Sequence, residues 1–112
     1  MKKLLLLSCL AIFAAILTQC SSSKKATKAQ TITYATNIQP IISSNCSPCH
    51  FPDKGKAKAL NTYDAVKSNI NDIISRIEKH PGDRGFMPMK RERLSDSTIN
   101  VFKQWRDGGL AE

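Results

Sequence analysis

Cys46-Ser47-Pro48-Cys49-His50 is the stretch on which the reading of this chain turns. Two cysteines separated by two residues and followed at once by a histidine form the attachment pattern of haem c. The chemistry asks for that spacing. Haem carries two vinyl groups, and each takes up one thiol as a thioether. Two intervening residues let both sulfurs reach those positions from one short loop, and the adjacent His50 becomes an axial ligand of the iron. Three other readings compete for the same residues. A thioredoxin-like dithiol wants a strand–helix setting within a βαβ pattern, and no such pattern is visible. Zinc could draw on Cys46, Cys49, His50 and His80, but the adjacency of Cys49 and His50 is awkward for one tetrahedral centre, and the spacing matches no common zinc pattern. A Cys46–Cys49 disulfide is open only to a chain that receives no haem.

The region before the motif reads as export machinery. Lys2 and Lys3 form a positive start, and Leu4 to Leu17 is an apolar run interrupted only by Ser8. That run is too short for a typical transmembrane helix and gives way at once to polar residues, so residues 1–19 are expected to be a signal peptide; an uncleaved N-terminal anchor is the other reading. Residues 20–30 are small, polar and basic without apolar periodicity, the composition of a flexible tether. Residues 31–112 are then the single domain that a 112-residue chain allows. A domain this short buries a modest core and often needs a staple, a metal or a cofactor.

Of the four cysteines, Cys9 would leave with the signal and Cys20 begins the tether, so no pair is left for a structural disulfide. Leu17-Thr18-Gln19-Cys20 resembles the lipobox of bacterial lipoproteins, with Gln19 where a small residue is usual. The resemblance implies cleavage before Cys20, a diacylglyceryl group on its sulfur, and a protein held on a membrane in the cell envelope.

The formal charge of +8 falls to +6 without Lys2 and Lys3, and to +3 once the tether residues Lys24, Lys25 and Lys28 are set aside. Haem propionates would lower it further. Nucleic acid is therefore not an expected partner, and the tether lysines suit either anionic headgroups or plain solvation.

Hydrophobic spacing supplies the secondary structure. Ile38, Ile41 and Ile42 share one face of a helix leading into the cysteine loop. Tyr63 to Ser68 and Ile70 to Lys79 read as helical, with Ile70, Ile73, Ile74 and Ile77 as one apolar face, and His80-Pro81-Gly82-Asp83 ends the run. Ser95 is an N-cap with Asp96 in the first turn. Ile99, Phe102 and Trp105 recur every three residues, and Gly108 and Gly109 stop the helix. No strand alternation stands out, so the expected fold class is all-α.

From Tyr34 onward the chain resembles the small bacterial mono-haem cytochrome c domains. The likeness rests on the run from Tyr34 into Cys46-Ser47-Pro48-Cys49-His50, on Met87-Pro88 followed by Leu94-Ser95, and on the closing Trp105-Arg106-Asp107-Gly108. It implies a small helical fold wrapped around one covalently attached haem c. Cys46 and Cys49 would form the thioethers, and His50 and Met87 would hold the iron. Met89, two residues beyond Met87, is the alternative sixth ligand. With both axial positions filled, the chemistry is outer-sphere electron transfer rather than catalysis. The expected function is one-electron carriage by a monomer that meets redox partner proteins in the envelope. The competing class is a haem enzyme or gas-binding sensor whose sixth position is open, such as a peroxidase. Two smaller expectations follow. Pro52 could offer its carbonyl to the free ring nitrogen of His50. Lys54, Lys56, Lys58, Lys90, Arg91 and Arg93 could steer an acidic partner toward the haem edge, or simply be a solvated face.

Overall fold

The computed structural model describes residues 30–112, which form four α-helices and no strand. The expected signal peptide, nearly all of the expected tether and the expected lipid site at Cys20 lie outside the described residues. Among the described residues no helix is long and apolar enough to cross a membrane.

The first helical run opens as a π turn over Tyr34–Ile38 and continues as α1, Gln39–Asn45. Thr33 caps it, its hydroxyl accepting from the Thr36 N–H. The wide turn sits just before Pro40, which has no N–H to donate and whose ring crowds the carbonyl four residues back. Ile38 and Ile42 are buried as their spacing predicts, while Ile41 is half-buried.

Helices α2, Tyr63–Ser68, and α3, Ile70–Ile77, are almost one helix. Asn69 divides them, with its side-chain amide donating to the Ala65 carbonyl at 2.7 Å. A short polar side chain that takes a backbone acceptor in this way competes with the regular ladder. The four isoleucines of α3 are all buried, so its apolar face is the one that the sequence spacing predicts. The helix stops at Ile77, two residues short of the expected Lys79.

The last helix, α4, spans Asp96–Asp107. Ser95 caps its start by accepting from the Thr98 N–H. Its end is a Schellman turn: Leu110 N–H reaches the Trp105 carbonyl at 2.9 Å and Gly109 N–H reaches that of Arg106 at 3.3 Å. Gly109 sits at φ +94°, a conformation that costs a residue with a Cβ.

The core lies between α3, α4 and the π turn. Trp105 and Phe102 of α4 are its largest fully buried side chains, packed with Ile38, Ile42 and Val66. Each such aromatic contributes about 3–5 kcal/mol relative to alanine, a large share of the ~5–15 kcal/mol that holds a domain together. The indole nitrogen of Trp105 donates to the Ala111 carbonyl at 2.7 Å, and the backbone N–H of Tyr34 donates to the same oxygen at 2.8 Å. Tyr63 binds the neighbouring Leu110 carbonyl. The last residues thus satisfy the polar ends of an aromatic cluster formed by Tyr34, Tyr63 and Trp105. This leaves the opposite side of α1, α3 and α4 to form the walls of a cavity.

Candidate functional site

The cysteine motif begins where α1 ends. Cys46 is the helix C-cap, its N–H bonded to the Ile42 carbonyl. One further turn follows, in which the His50 N–H reaches the Cys46 carbonyl at 3.0 Å. The next ten residues fold back over this loop. Ala57 N–H donates to the Cys49 carbonyl and Leu60 N–H to that of His50, at 3.2 and 2.8 Å. Gly55 makes the return possible. A Cβ on Gly55 would stand 2.1 Å from the Cys49 carbonyl oxygen, well inside any real contact.

The return also orients His50. Its Nδ1 lies 2.7 Å from the Lys58 carbonyl. A carbonyl can only accept, so Nδ1 donates, and in the neutral ring this contact selects the tautomer that leaves the Nε2 lone pair free for a metal. The acceptor is therefore Lys58 and not Pro52, the residue suggested by sequence. Pro52 precedes the point at which the chain turns back, whereas Lys58 lies on the returning segment.

Met87 comes from the segment joining α3 to α4. Its N–H bonds to the Arg76 carbonyl near the end of α3, and its side chain is half-buried against the core. Met89 is 64 % exposed. Arg91 ties this segment to the cysteine loop: its guanidinium donates to the Ser44 carbonyl at 2.7 Å and to that of Ser47 at 3.2 Å. Arg93 is engaged as well, with Asp96 and with the carbonyls of Glu78 and Leu94. Two of the six cations expected to steer a partner therefore have structural duties. Lys54, Lys56 and Lys90 are exposed, and Lys58 bonds to Asn69.

These pieces enclose one cavity. Cys46, Cys49, His50, Met87 and Met89 all line it, with Ile41, Ile73, Ile77, Leu94 and Phe102 as apolar walls. Its accessible volume is about 200 Å³, and its mouth opens to solvent. His80 does not line it. That histidine is exposed on the α3–α4 loop, with its backbone N–H bonded to Asp83. The four candidate zinc donors are accordingly not gathered, and among the described residues no three His, Cys, Asp or Glu side chains form a group able to hold a metal.

Cys46 and Cys49 are free thiols. Burial pushes the Cys46 thiol up to about 11, with the positive charge of Arg91 opposing that rise. A redox-active dithiol works through a thiol lowered toward neutrality, and Cys46 is displaced the other way. The apolar cavity thus gathers two thiols, an oriented imidazole and a thioether in its lining. Gly55, the Lys58 carbonyl and Arg91 complete the site. Of these only Gly55 bears a sequence signal: it is the sole glycine between the cysteine motif and α2. In comparisons with known proteins, the chain matches no family model, no curated protein and no solved structure.

Proposed function

We propose that residues 31–112 are a c-type cytochrome domain that carries one electron at a time in the cell envelope. The observation that carries this reading is the shared cavity of Cys46, Cys49, His50 and Met87, with the His50 Nδ1 proton committed to a backbone carbonyl. When bound, haem supplies an iron that exchanges one electron between its ferric and ferrous forms. The residues around it have separable duties. Cys46 and Cys49 would join the macrocycle by thioether bonds, so the cofactor does not dissociate. His50 and Met87 would hold the iron, the thioether favouring the ferrous state. Ile41, Ile73, Ile77 and Phe102, which line the cavity, would keep water from the metal. If His50 and Met87 both held the iron, substrate would have no place to bind on it, which favours a carrier over an enzyme. Cys20 is proposed to carry a diacylglyceryl group, which with its two chains gives stable membrane attachment. The domain is proposed to act as a monomer toward redox partner proteins.

The test is expression in an envelope that contains a haem-attachment system. The intact mass should exceed the bare chain by one haem, and acid–acetone should fail to extract the colour. Cys46→Ala or Cys49→Ala should reduce the covalently held haem sharply. A colourless wild type under these conditions refutes the reading. Anchoring is tested separately. Cys20→Ala should release or misprocess the protein, and a mature N-terminus elsewhere than residue 20 would remove the lipoprotein assignment.

A further inference from the structure

A second cavity adjoins the one bordered by the cysteines, and His50, Ile73 and Met87 line both. No cysteine borders the second cavity, whose remaining walls include Lys58, Asn69, Asp72 and Arg76. The two candidate axial residues thus stand between a thiol-bearing side and a charged side.

The charged side has donors to spare. Lys58 Nζ gives one hydrogen bond, to Asn69 Oδ1 at 2.8 Å. Arg76 gives its Nε–H to Asp72 Oδ2 at 2.9 Å, which leaves the two terminal guanidinium nitrogens. The Asp72 carboxyl is held below its ordinary range, first by that hydrogen bond from Arg76, and Lys58 and Lys79 lower it as well. Of these cations Lys58 and Arg76 line the cavity together with Asp72, which leaves one positive charge in excess there.

Haem bears two propionates on the edge away from its vinyl groups. On the haem c reading proposed above, we infer that Lys58 and Arg76 form the carboxylate-binding end of the cleft and receive those propionates. Lys58 then acts twice, with its carbonyl orienting His50 and its ammonium holding a carboxylate. Arg76 also acts twice, because its carbonyl accepts from the Met87 N–H. The contacts to the cofactor's acidic edge and the backbone supports of both axial residues come from the same two positions.

The experiment uses the haem-loaded full chain. The propionate bending mode in resonance Raman and the midpoint potential are recorded for wild type, Lys58→Met, Arg76→Met, Arg76→Lys, Lys54→Met and Arg91→Met. Lys58→Met and Arg76→Met should each shift the propionate mode. Each should also lower the potential, since removing a nearby positive charge favours ferric iron. Arg76→Lys should restore most of the wild-type signature, and Lys54→Met should leave the mode in place. These substitutions spare both backbone carbonyls, so the bands of the axial ligands should persist. A mode that ignores both Lys58→Met and Arg76→Met overturns the assignment, as does a mode that moves only with Arg91→Met. A chain that acquires no haem overturns the haem reading and this inference with it.

Discussion

Met87→Ala should abolish the weak far-red charge-transfer band of the oxidised protein and open the iron to carbon monoxide or cyanide, while Met89→Ala should leave both properties as in the wild type. Both sulfurs belong to residues that line the cavity, so proximity does not separate them. Anchoring does. Met87 is half-buried, packed on the core and fixed through its N–H to the Arg76 carbonyl at 3.3 Å. Met89 is 64 % exposed, and Lys90 beside it sits at φ +62°, the signature of a tight surface turn. An axial ligand must be presented without a large ordering cost, and a half-buried side chain on a backbone-bonded residue has less freedom to lose than an exposed one. The spectroscopic readout distinguishes all outcomes. Loss of the band on Met89→Ala alone would move the ligand to Met89. A wild type that lacks the band, or that binds carbon monoxide unaided, would favour the haem enzyme or gas sensor with an open sixth position.

The helices were legible because each carries a local signature. Ser95 before Asp96 sets the start of α4, Gly108 and Gly109 set its end, and the isoleucine spacing of α3 names its buried face. The candidate cofactor residues were legible because their side-chain chemistry is rare and closely spaced. What supports them was not. The partner of His50 is a backbone carbonyl, and every residue offers one, so nothing in the sequence could single out Lys58. The sequence marks Arg91 only as one cation among several, because its partners are also carbonyls, 44 and 47 residues away along the chain. Interactions that depend on where the backbone returns become visible only with the fold.

Gly55 is the residue for which that return has the clearest consequence. Its φ lies outside the left-handed region, so alanine would meet no intrinsic backbone penalty there. The obstacle is contact. The added methyl would lie 2.1, 2.4 and 2.6 Å from the carbonyl oxygen, carbonyl carbon and Cα of Cys49. All three are backbone atoms, which cannot swing aside as the tip of a flexible side chain can. Either the cysteine loop or the returning segment must move, and the bonds from Ala57 to Cys49, from Leu60 to His50 and from His50 to Lys58 bridge the two. Overpacking of a fitted site costs typically about 1–3 kcal/mol, and for a domain of this size each kcal/mol lowers Tm by roughly 4–8 °C. Gly55→Ala should therefore melt some 10 °C or more below wild type, at the upper part of that range. Its fraction of covalently loaded chains, read by intact mass, should fall in parallel, because the displaced atoms belong to Cys49 itself. Gly82→Ala is the matched comparison. Gly82 sits at φ +98° with nothing within 4 Å of an added Cβ, so alanine there strains one exposed turn by about 1–2 kcal/mol and leaves haem loading intact. If Gly55→Ala loads and melts like the wild type, the close approach of the two segments is not what holds His50 in place.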